Sequence, residues 1–164
     1  MTGILPVATG EQLRRAFGRF PSGVVAVCAE LDGRPVGLAA SSFTSVSIDP
    51  PLVSVCMQRS SRTWPLLRRR PRLGLSVLAA GHAEVCARLA SRTGDRFAGT
   101  GWSVGDGGGV FVHGAPVWLD CTLHAEVPGG DHDIVLLRVA GIRVDAEAEP
   151  LVFHGSRFRY LAAS

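Results

Sequence analysis

Short runs of apolar and β-branched residues, separated by turn residues, dominate the chain. The main runs cover residues 24–30, 36–40, 52–57, 73–78, 117–127 and 134–144, and two shorter ones cover 151–153 and 158–160. Runs of this kind, bounded by Gly, Pro and Asp, are typical of β-strands. Asp32-Gly33 lies between the first two runs and predicts a two-residue hairpin. Because strands and helices do not alternate regularly, the pattern predicts a mainly β protein built as an antiparallel barrel.

Three segments have helical rather than strand-like patterns. Thr9 and Gln12 form a potential capping box, followed by apolar residues at helical spacing until Pro21. A second helix is predicted from the hydroxyl-rich residues 60–63 to the arginines at 68–70, and a third over residues 82–91. Residues 93–109 lack periodicity, and the glycine-rich stretch 105–109 is predicted to be a surface loop. The barrel is therefore expected to carry two or three peripheral helices.

The most unusual stretch is residues 36–55, VGLAASSFTSVSIDPPLVSV, in which a short apolar run is followed by a cluster of hydroxyls. Ser41, Ser42, Thr44, Ser45 and Ser47 fall within seven residues. One such side chain usually suffices for a turn. The prolines at 50 and 51 predict a stiff extended corner before the next strand. This pattern predicts a shelf of small hydrogen-bond donors that could face a planar polar ligand, while an ordinary serine-rich loop is the alternative interpretation.

Length and composition indicate one globular domain, taken as residues 1–164 with a flexible N-terminal segment at 1–8. A chain of 164 residues buries roughly 70% of its unfolded surface. The 46% hydrophobic and 19% charged residues are far from the composition of disordered proteins. The net charge of +3 comes from 17 basic residues, all of them Arg, against 14 acidic ones. Since these arginines are mostly dispersed and not interleaved with aromatic residues, a nucleic-acid partner is not expected.

Neither a secretory signal nor an apolar run of the ~18 residues that a membrane span needs is found in the sequence. The four cysteines lie 28, 30 and 35 positions apart among apolar neighbours, and the five histidines occur singly. This spacing predicts reduced cysteines, no metal site and a cytoplasmic protein without a membrane partner.

The segment Ser60-Ser61-Arg62-Thr63 is the best candidate for phosphate binding. It combines hydroxyls, the free amides of a predicted helix N-terminus and one guanidinium. Neither a P-loop nor a Gly-x-Ser-x-Gly elbow is present in the sequence. A plain helix cap is the alternative interpretation of these residues.

Most of the chain, from about residue 13 to 160, resembles the flavin reductase family with the FMN-binding split-barrel fold, a Greek-key arrangement of antiparallel strands. The resemblance lies in GVVAVCAELDGRPVGLAASSFTSVSIDPPLVSVCMQRSSRTWPLL, LGLSVLAAGHAEVCARLA, RFAGTGW and GGDHDIVLLRVAGI. The block ASSFTSVSIDPPLVSV together with the turn Gly130-Asp131-His132 is its most specific part. Members of this family are the reductase components of two-component flavin-dependent monooxygenases.

The resemblance implies a homodimeric NAD(P)H:flavin oxidoreductase that transfers hydride from NADH or NADPH to FMN or FAD. Reduced flavin would then diffuse to a partner monooxygenase. His132 would contact the nicotinamide. The flavin-binding residues implied by the resemblance are Gly37, Leu38, Ala39, Ala40, Ser41, Ser42, Phe43, Val53, Ser54, Val55, Ser60, Ser61, Arg62, Thr63 and Phe97. Within this set, residues 60–63 would hold the phosphate, and Phe97 would pack near the flavin.

Three positions depart from the family pattern: Ala39 stands where Thr is common, Ser76 where Asn is common and His82 where Gln is common. Because Ala39 has no hydroxyl, one flavin contact is missing. Two other functions on the same fold stay open at this point. The chain could be a flavin carrier or sensor without turnover, or an oxygenase or ferric reductase that retains its flavin.

Overall fold

The computed structural model describes residues 3–162, which form mainly antiparallel β-sheet with three short α-helices. The predicted fold class is therefore confirmed. The helices are α1 (Gly10–Phe17), α2 (Trp64–Leu67) and α3 (Ala83–Ala90), and a 3₁₀ turn covers Ala80–His82. The strands are β1 (Ser22–Gly23), β2 (Val25–Leu31), β3 (Arg34–Ala40), β4 (Thr44–Ser47), β5 (Leu52–Gln58), β6 (Leu73–Val77), β7 (Trp102–Val104), β8 (Val110–Val112), β9 (Val117–Gly129), β10 (His132–Val144), β11 (Val152–His154) and β12 (Arg157–Arg159).

Seven strands form one sheet in the order β3-β2-β6-β9-β10-β5-β4, with every neighbouring pair antiparallel. The predicted hairpin between β2 and β3 turns at Asp32 and Gly33, whose φ angles are +52° and +75°. Positive φ at both central positions matches the right-handed twist of the strands it joins. The two edges of this sheet, β3 and β4, are consecutive in the chain and lie close together.

A long hairpin of β9 and β10 supplies the middle of the sheet. Its turn contains Gly130, with φ +83°, a conformation that glycine adopts without steric cost. On its other side β10 pairs with β5, so that His132 lies opposite Gln58 in the register. The hairpin therefore brings residues separated by more than seventy positions to the same end of the sheet.

The core consists of two clusters on the two faces of the curled sheet. The inner cluster contains the fully buried Val27, Val55 and Leu75. The outer cluster includes Leu89 of α3 and Phe97. Burial of side chains on both faces explains why β2 is a continuous apolar run rather than an alternating one.

Ser76 is the buried polar residue among the core side chains described. Its hydroxyl oxygen accepts a hydrogen bond of 2.9 Å from the backbone N–H of Val112. Ser76 therefore joins β6 to β8 and has a structural partner, which accounts for a hydroxyl at this position.

The structure corrects three details of the predicted secondary structure. Helix α2 ends at Leu67, not at 68–70, because the Arg70 N–H bonds to the Leu67 carbonyl in a tighter turn and Pro71 has no N–H with which to continue the helix. Part of the hydroxyl-rich segment forms the edge strand β4, and residues 48–51 form a turn rather than an extended corner. Residues 93–109 are not a single loop, because β7 pairs with β8 and the glycine-rich stretch is their turn.

The capping box that starts α1 is present, with the Thr9 side chain accepting from the backbone N–H of Gln12. However, none of the residues of α1 is buried, and Phe17 is 69% exposed. The predicted flexible segment 1–8 lies partly outside the described residues; within it, Ile4 and Leu5 are exposed. In the part of the chain described, no helix has the length and apolar character required to cross a membrane.

Candidate active site

A groove of about 730 Å³ lies between the ends of β3 and β5, the segment before α2, the end of α3 and the start of β10. This volume is in the range of small-molecule binding sites. The lining residues are Leu38, Ala39, Ala40, Ser41, Ser42, Cys56, Met57, Gln58, Ser60, Ser61, Arg62, Thr63, Leu89, Ala90, Arg92, Arg96 and His132. The groove therefore brings together three regions that the sequence singled out: residues 38–42, residues 60–63 and His132.

Between the end of β3 and β5, the Ser42 side chain takes the place of main-chain strand pairing along one wall of the groove. Thr44 pairs with Ser54, so the same antiparallel register puts Ser42 opposite Cys56. The Ser42 hydroxyl accepts a hydrogen bond of 2.9 Å from the Cys56 N–H and donates to the Cys56 carbonyl at 3.4 Å. Ser42 thus substitutes for a main-chain partner at the seam between the end of β3 and β5.

The wall formed by β3 is built from small residues and is supported from behind. A Cβ atom at Gly37 would lie 2.4 Å from the Cys28 sulfur and 3.1 Å from Phe97 Cζ. Phe97 itself is only 9% exposed. Gly37 and Phe97 therefore support this wall from the core side, and Ala39 and Ala40 face a ligand in the groove with side chains of one carbon.

The segment at the start of α2 has two hydroxyls in different roles. Ser61 Oγ accepts from the backbone N–H of Trp64 at 3.1 Å and caps the helix. Thr63 occupies the N-cap position, but within residues 3–162 its side chain makes no capping hydrogen bond. Arg62 is exposed and lines the groove. The predicted helix cap is therefore present at Ser61, and anion binding by this segment stays a prediction.

Positive charge dominates the lining of the groove. Arg62, Arg92 and Arg96 line it, and none of its described lining residues is an Asp or Glu. Cations without paired carboxylates attract anionic ligands, and guanidinium groups bind phosphate oxygens through two parallel hydrogen bonds. The charge of the groove thus favours a phosphorylated ligand.

His132 lines the groove at the start of β10, where it lies opposite Gln58 in the register. Its Nδ1 is 2.7 Å from Asp131 Oδ1, and because a carboxylate only accepts hydrogen bonds, Nδ1 is the donor. This hydrogen bond from His132 lowers the pKa of the Asp131 carboxyl below its usual value. The contact fixes one ring nitrogen of His132 and leaves Nε2 for a ligand.

Six of the residues predicted from the resemblance do not line the groove: Gly37, Phe43, Val53, Ser54, Val55 and Phe97. Val53 and Val55 belong to the core cluster inside the sheet, because alternate residues of a strand face opposite sides. Their roles in ligand binding stay predictions.

Sequence reasoning missed seven lining residues: Cys56, Met57, Gln58, Leu89, Ala90, Arg92 and Arg96. Cys56 and Met57 lie within the predicted strand 52–57 and Gln58 follows it, so they could have been included by extending the predicted site along this strand. Arg92 and Arg96 lie in a stretch without periodicity, and only the packing of α3 brings them to the groove. Among residues 3–162, no group of three or more His, Cys, Asp or Glu side chains is arranged to hold a metal ion.

The four cysteines are unpaired, and they differ in environment. Burial raises the pKa of the thiols of Cys28 and Cys121 to about 12 and also raises that of Cys86. Cys56 is half-buried and lines the groove. It is therefore the thiol closest to a bound ligand.

The chain is a mainly β protein whose cationic groove, walled by alanines and serines, has the size and charge that suit a phosphorylated small molecule. Residues 17–162 match the flavin reductase like domain family. The chain belongs to this family, as the sequence resemblance predicted.

Two curated relatives and one solved structure illustrate the relationship. A flavin reductase of Pseudomonas putida is 38% identical over 154 residues, covering 93% of this chain and 91% of the relative. The reductase subunit HsaB of a flavin-dependent monooxygenase of Rhodococcus jostii is 35% identical over 148 residues, covering 90% and 76%. The NADH:FAD oxidoreductase SgcE6 of Streptomyces globisporus, solved with NAD and FAD fragments, has a TM-score of 0.88 at 35% identity, covering 96% of this chain and 98% of that one.

Proposed function

We propose that this protein is an NAD(P)H:flavin oxidoreductase that supplies reduced flavin to a partner monooxygenase. Its substrates are FMN or FAD and NADH or NADPH. The observation that carries the proposal is the groove itself, which is lined by small residues of β3, by residues 60–63 with their hydroxyls and Arg62, and by His132. The relatives named as flavin reductases and as monooxygenase reductase subunits support the same activity.

The wall formed by β3 suits the flat isoalloxazine ring of a flavin. Leu38, Ala39, Ala40 and Ser41 line it, and the short side chains of the last three allow a ring to approach main-chain N–H groups closely. Such donors stabilise the negative charge that develops on a ring accepting hydride. When bound, the flavin supplies the hydride-accepting centre, and the protein supplies position and a site from which water is excluded.

The phosphate of the flavin is proposed to bind at residues 60–63. Arg62 provides a guanidinium at this end of the groove, and Ser60, Ser61 and Thr63 provide hydroxyls. The Ser61 hydroxyl also caps α2, which holds the segment in a fixed conformation. Phe97 packs against β3 at Gly37 on the core side and thereby keeps β3 in place.

His132 is proposed to contact the nicotinamide and to position it against the flavin. The hydrogen bond to Asp131 orients the imidazole and directs Nε2 away from the carboxylate. No protein nucleophile is required, because hydride moves directly between the two rings. The contact is therefore one of binding and orientation.

We also propose a single domain of split-barrel form and a homodimer. The open seam between β3 and β5, joined at Ser42, supports the split barrel.

An interface with a second copy is supported by exposed apolar side chains that are 69–84% accessible, namely Ile4, Leu5, Phe17 and Phe20. The unpaired cysteines support a reducing, cytoplasmic location.

The function is tested by anaerobic turnover of the purified protein with each of the four nicotinamide and flavin pairs. Oxidation of the nicotinamide with stoichiometric reduction of added flavin is expected. Gel filtration after loading with flavin separates the alternatives. A diffusible-flavin reductase releases the flavin, whereas an oxygenase or ferric reductase retains it. Flavin binding without nicotinamide oxidation would indicate a carrier and contradict the proposal.

A further inference from the structure

Arg96 connects three separate segments around the groove. Its Nε donates to the carbonyl of Ser91 at 2.8 Å, in the loop after α3. Its Nη1 donates to the carbonyl of Gly37 at 2.9 Å and to Thr63 Oγ1 at 2.9 Å. One half-buried side chain thus spans from the wall formed by β3 to the segment at the start of α2.

The chemistry of the two groups fixes the direction of the hydrogen bond between them. A guanidinium has only donors, so Thr63 Oγ1 must accept from Arg96. The hydroxyl proton of Thr63 is then available for another acceptor. Within residues 3–162 the Thr63 hydroxyl donates no hydrogen bond, and its one side-chain contact is the bond that it accepts from Arg96.

We propose that Arg96 is a positioning residue that orients the Thr63 hydroxyl toward the phosphate of a flavin nucleotide in the groove. This inference rests on the proposed function. Because the Thr63 oxygen accepts the charge-assisted hydrogen bond from Arg96, the Thr63 O–H is left to donate to the phosphate. Hydrogen bonds in series polarise one another, so the bond from Arg96 also strengthens the bond that Thr63 donates. By also binding the Gly37 carbonyl, Arg96 fixes the distance between the ring-binding wall and the phosphate-binding segment.

The other two arginines of the groove differ from Arg96 in their contacts. Arg62 and Arg92 are exposed, and their guanidinium groups make no hydrogen bond among the described residues. They can meet an anion directly, whereas two of the three nitrogens of the Arg96 guanidinium are committed to protein acceptors. Its third nitrogen, Nη2, makes no hydrogen bond among the described residues, so the comparison with Thr63→Val decides whether Arg96 acts through Thr63 or meets the phosphate itself.

The test compares the affinities of Arg96→Met, Thr63→Val and the double variant for FMN and for riboflavin, by quenching of flavin fluorescence. Only FMN carries the phosphate. Each single variant is expected to weaken FMN roughly tenfold, the magnitude of one charge-assisted hydrogen bond, with little effect on riboflavin. The double variant should bind FMN no more weakly than the worse single variant, because both changes remove the same donor.

Arg88→Met is the matched control. Arg88 donates to the Ala98 carbonyl and pairs with Glu84. It therefore holds the loop after α3, which also contains Arg96, but it does not line the groove. If loosening of this loop were the cause, Arg88→Met would change the ratio of FMN to riboflavin affinity as Arg96→Met does. That result would overturn the inference.

Two other outcomes would also overturn it. Equal losses for FMN and riboflavin in Arg96→Met would show a general change of the groove, and losses that multiply in the double variant would show that Arg96 acts without Thr63. Should Arg96→Met fail to fold, Arg96→Lys takes its place, because it keeps the positive charge with a single donor nitrogen. It is judged by the same ratio of FMN to riboflavin affinity. Absence of nicotinamide oxidation in the unaltered protein would instead reject the proposed function.

Discussion

Replacing Ser42 by Ala tests the seam that closes the groove. The Ser42 hydroxyl is the partner of both the N–H and the carbonyl of Cys56. Removing it leaves a part-buried N–H without that acceptor, which costs about 1–3 kcal/mol for a fully buried group. Because Ser42 and Cys56 are only partly buried, water can replace part of the bond, and we expect a loss of roughly 1–2 kcal/mol.

The loss can be measured by urea unfolding, followed by tryptophan fluorescence, and by thermal unfolding. For a protein of this length, 1–2 kcal/mol corresponds to a decrease in Tm of about 2–8 °C. The adjacent Ser41→Ala is the matched control. Ser41 is exposed and its hydroxyl makes no hydrogen bond among the described residues, so its change should stay within about 0.5 kcal/mol. Equal stabilities of the two variants would refute the role of Ser42 in the seam.

Four further predictions follow from the groove and its surroundings. Arg62→Ala should weaken FMN more than riboflavin in a fluorescence titration, because only FMN carries a phosphate; equal losses would contradict phosphate binding. His132→Ala should raise the KM for the nicotinamide and leave flavin affinity nearly intact, and unchanged steady-state constants would reject the assignment. Cys56 should be the first thiol to react with a disulfide reagent, and bound FMN should slow the reaction; labelling that flavin does not affect would place the ligand elsewhere. Burial lowers the pKa of His82 below its usual value, so the stability it contributes is present above a pH of about 6.5 and is lost as the pH falls below it. Urea midpoints measured between pH 8 and pH 5 should show less pH dependence in His82→Gln than in the exposed-site control His124→Gln, and identical slopes would contradict this reading.

The physical basis of the His82 prediction is the burial of its ring, and two hydrogen bonds define which ring nitrogen carries the proton. Nδ1 accepts from the backbone N–H of Ala79 at 2.9 Å, so Nε2 is the protonated nitrogen and donates to the carbonyl of His113 at 2.9 Å. A second proton on the ring would remove the acceptor that Ala79 needs. Desolvation is the larger cause and lowers the pKa, whereas the hydrogen bond to the His113 carbonyl opposes it in part.

Local patterns predicted most of the strands, because a strand or a hairpin turn depends on residues close in sequence. The turn at Asp32 and Gly33 and the capping box of α1 appear where the sequence placed them. The prediction was wrong at the end of α2 and at the hairpin of β7 and β8. In both places the local signal is weak, since α2 has four residues and β7 and β8 have three each.

The candidate site was predicted in part for the same reason. Residues 38–42 and 60–63 were identified by their hydroxyls and small side chains, and His132 by the resemblance. Arg96 was missed because its meaning depends on Gly37 and Thr63, which lie 59 and 33 positions away. The sequence likewise could not show that the Ser42 hydroxyl is bonded to Cys56, because that depends on the register of β4 on β5.

The sequence by itself determined the mainly β class, the family and the three regions that line the groove, because periodicity and local motifs are properties of the chain. The tertiary structure alone decided which hydroxyls are committed to protein partners and which stay free for a ligand. A hydrogen bond depends on distances of a few tenths of an ångström between atoms far apart in sequence. These distances are set only when the sheet edges, α2 and the loop after α3 pack together.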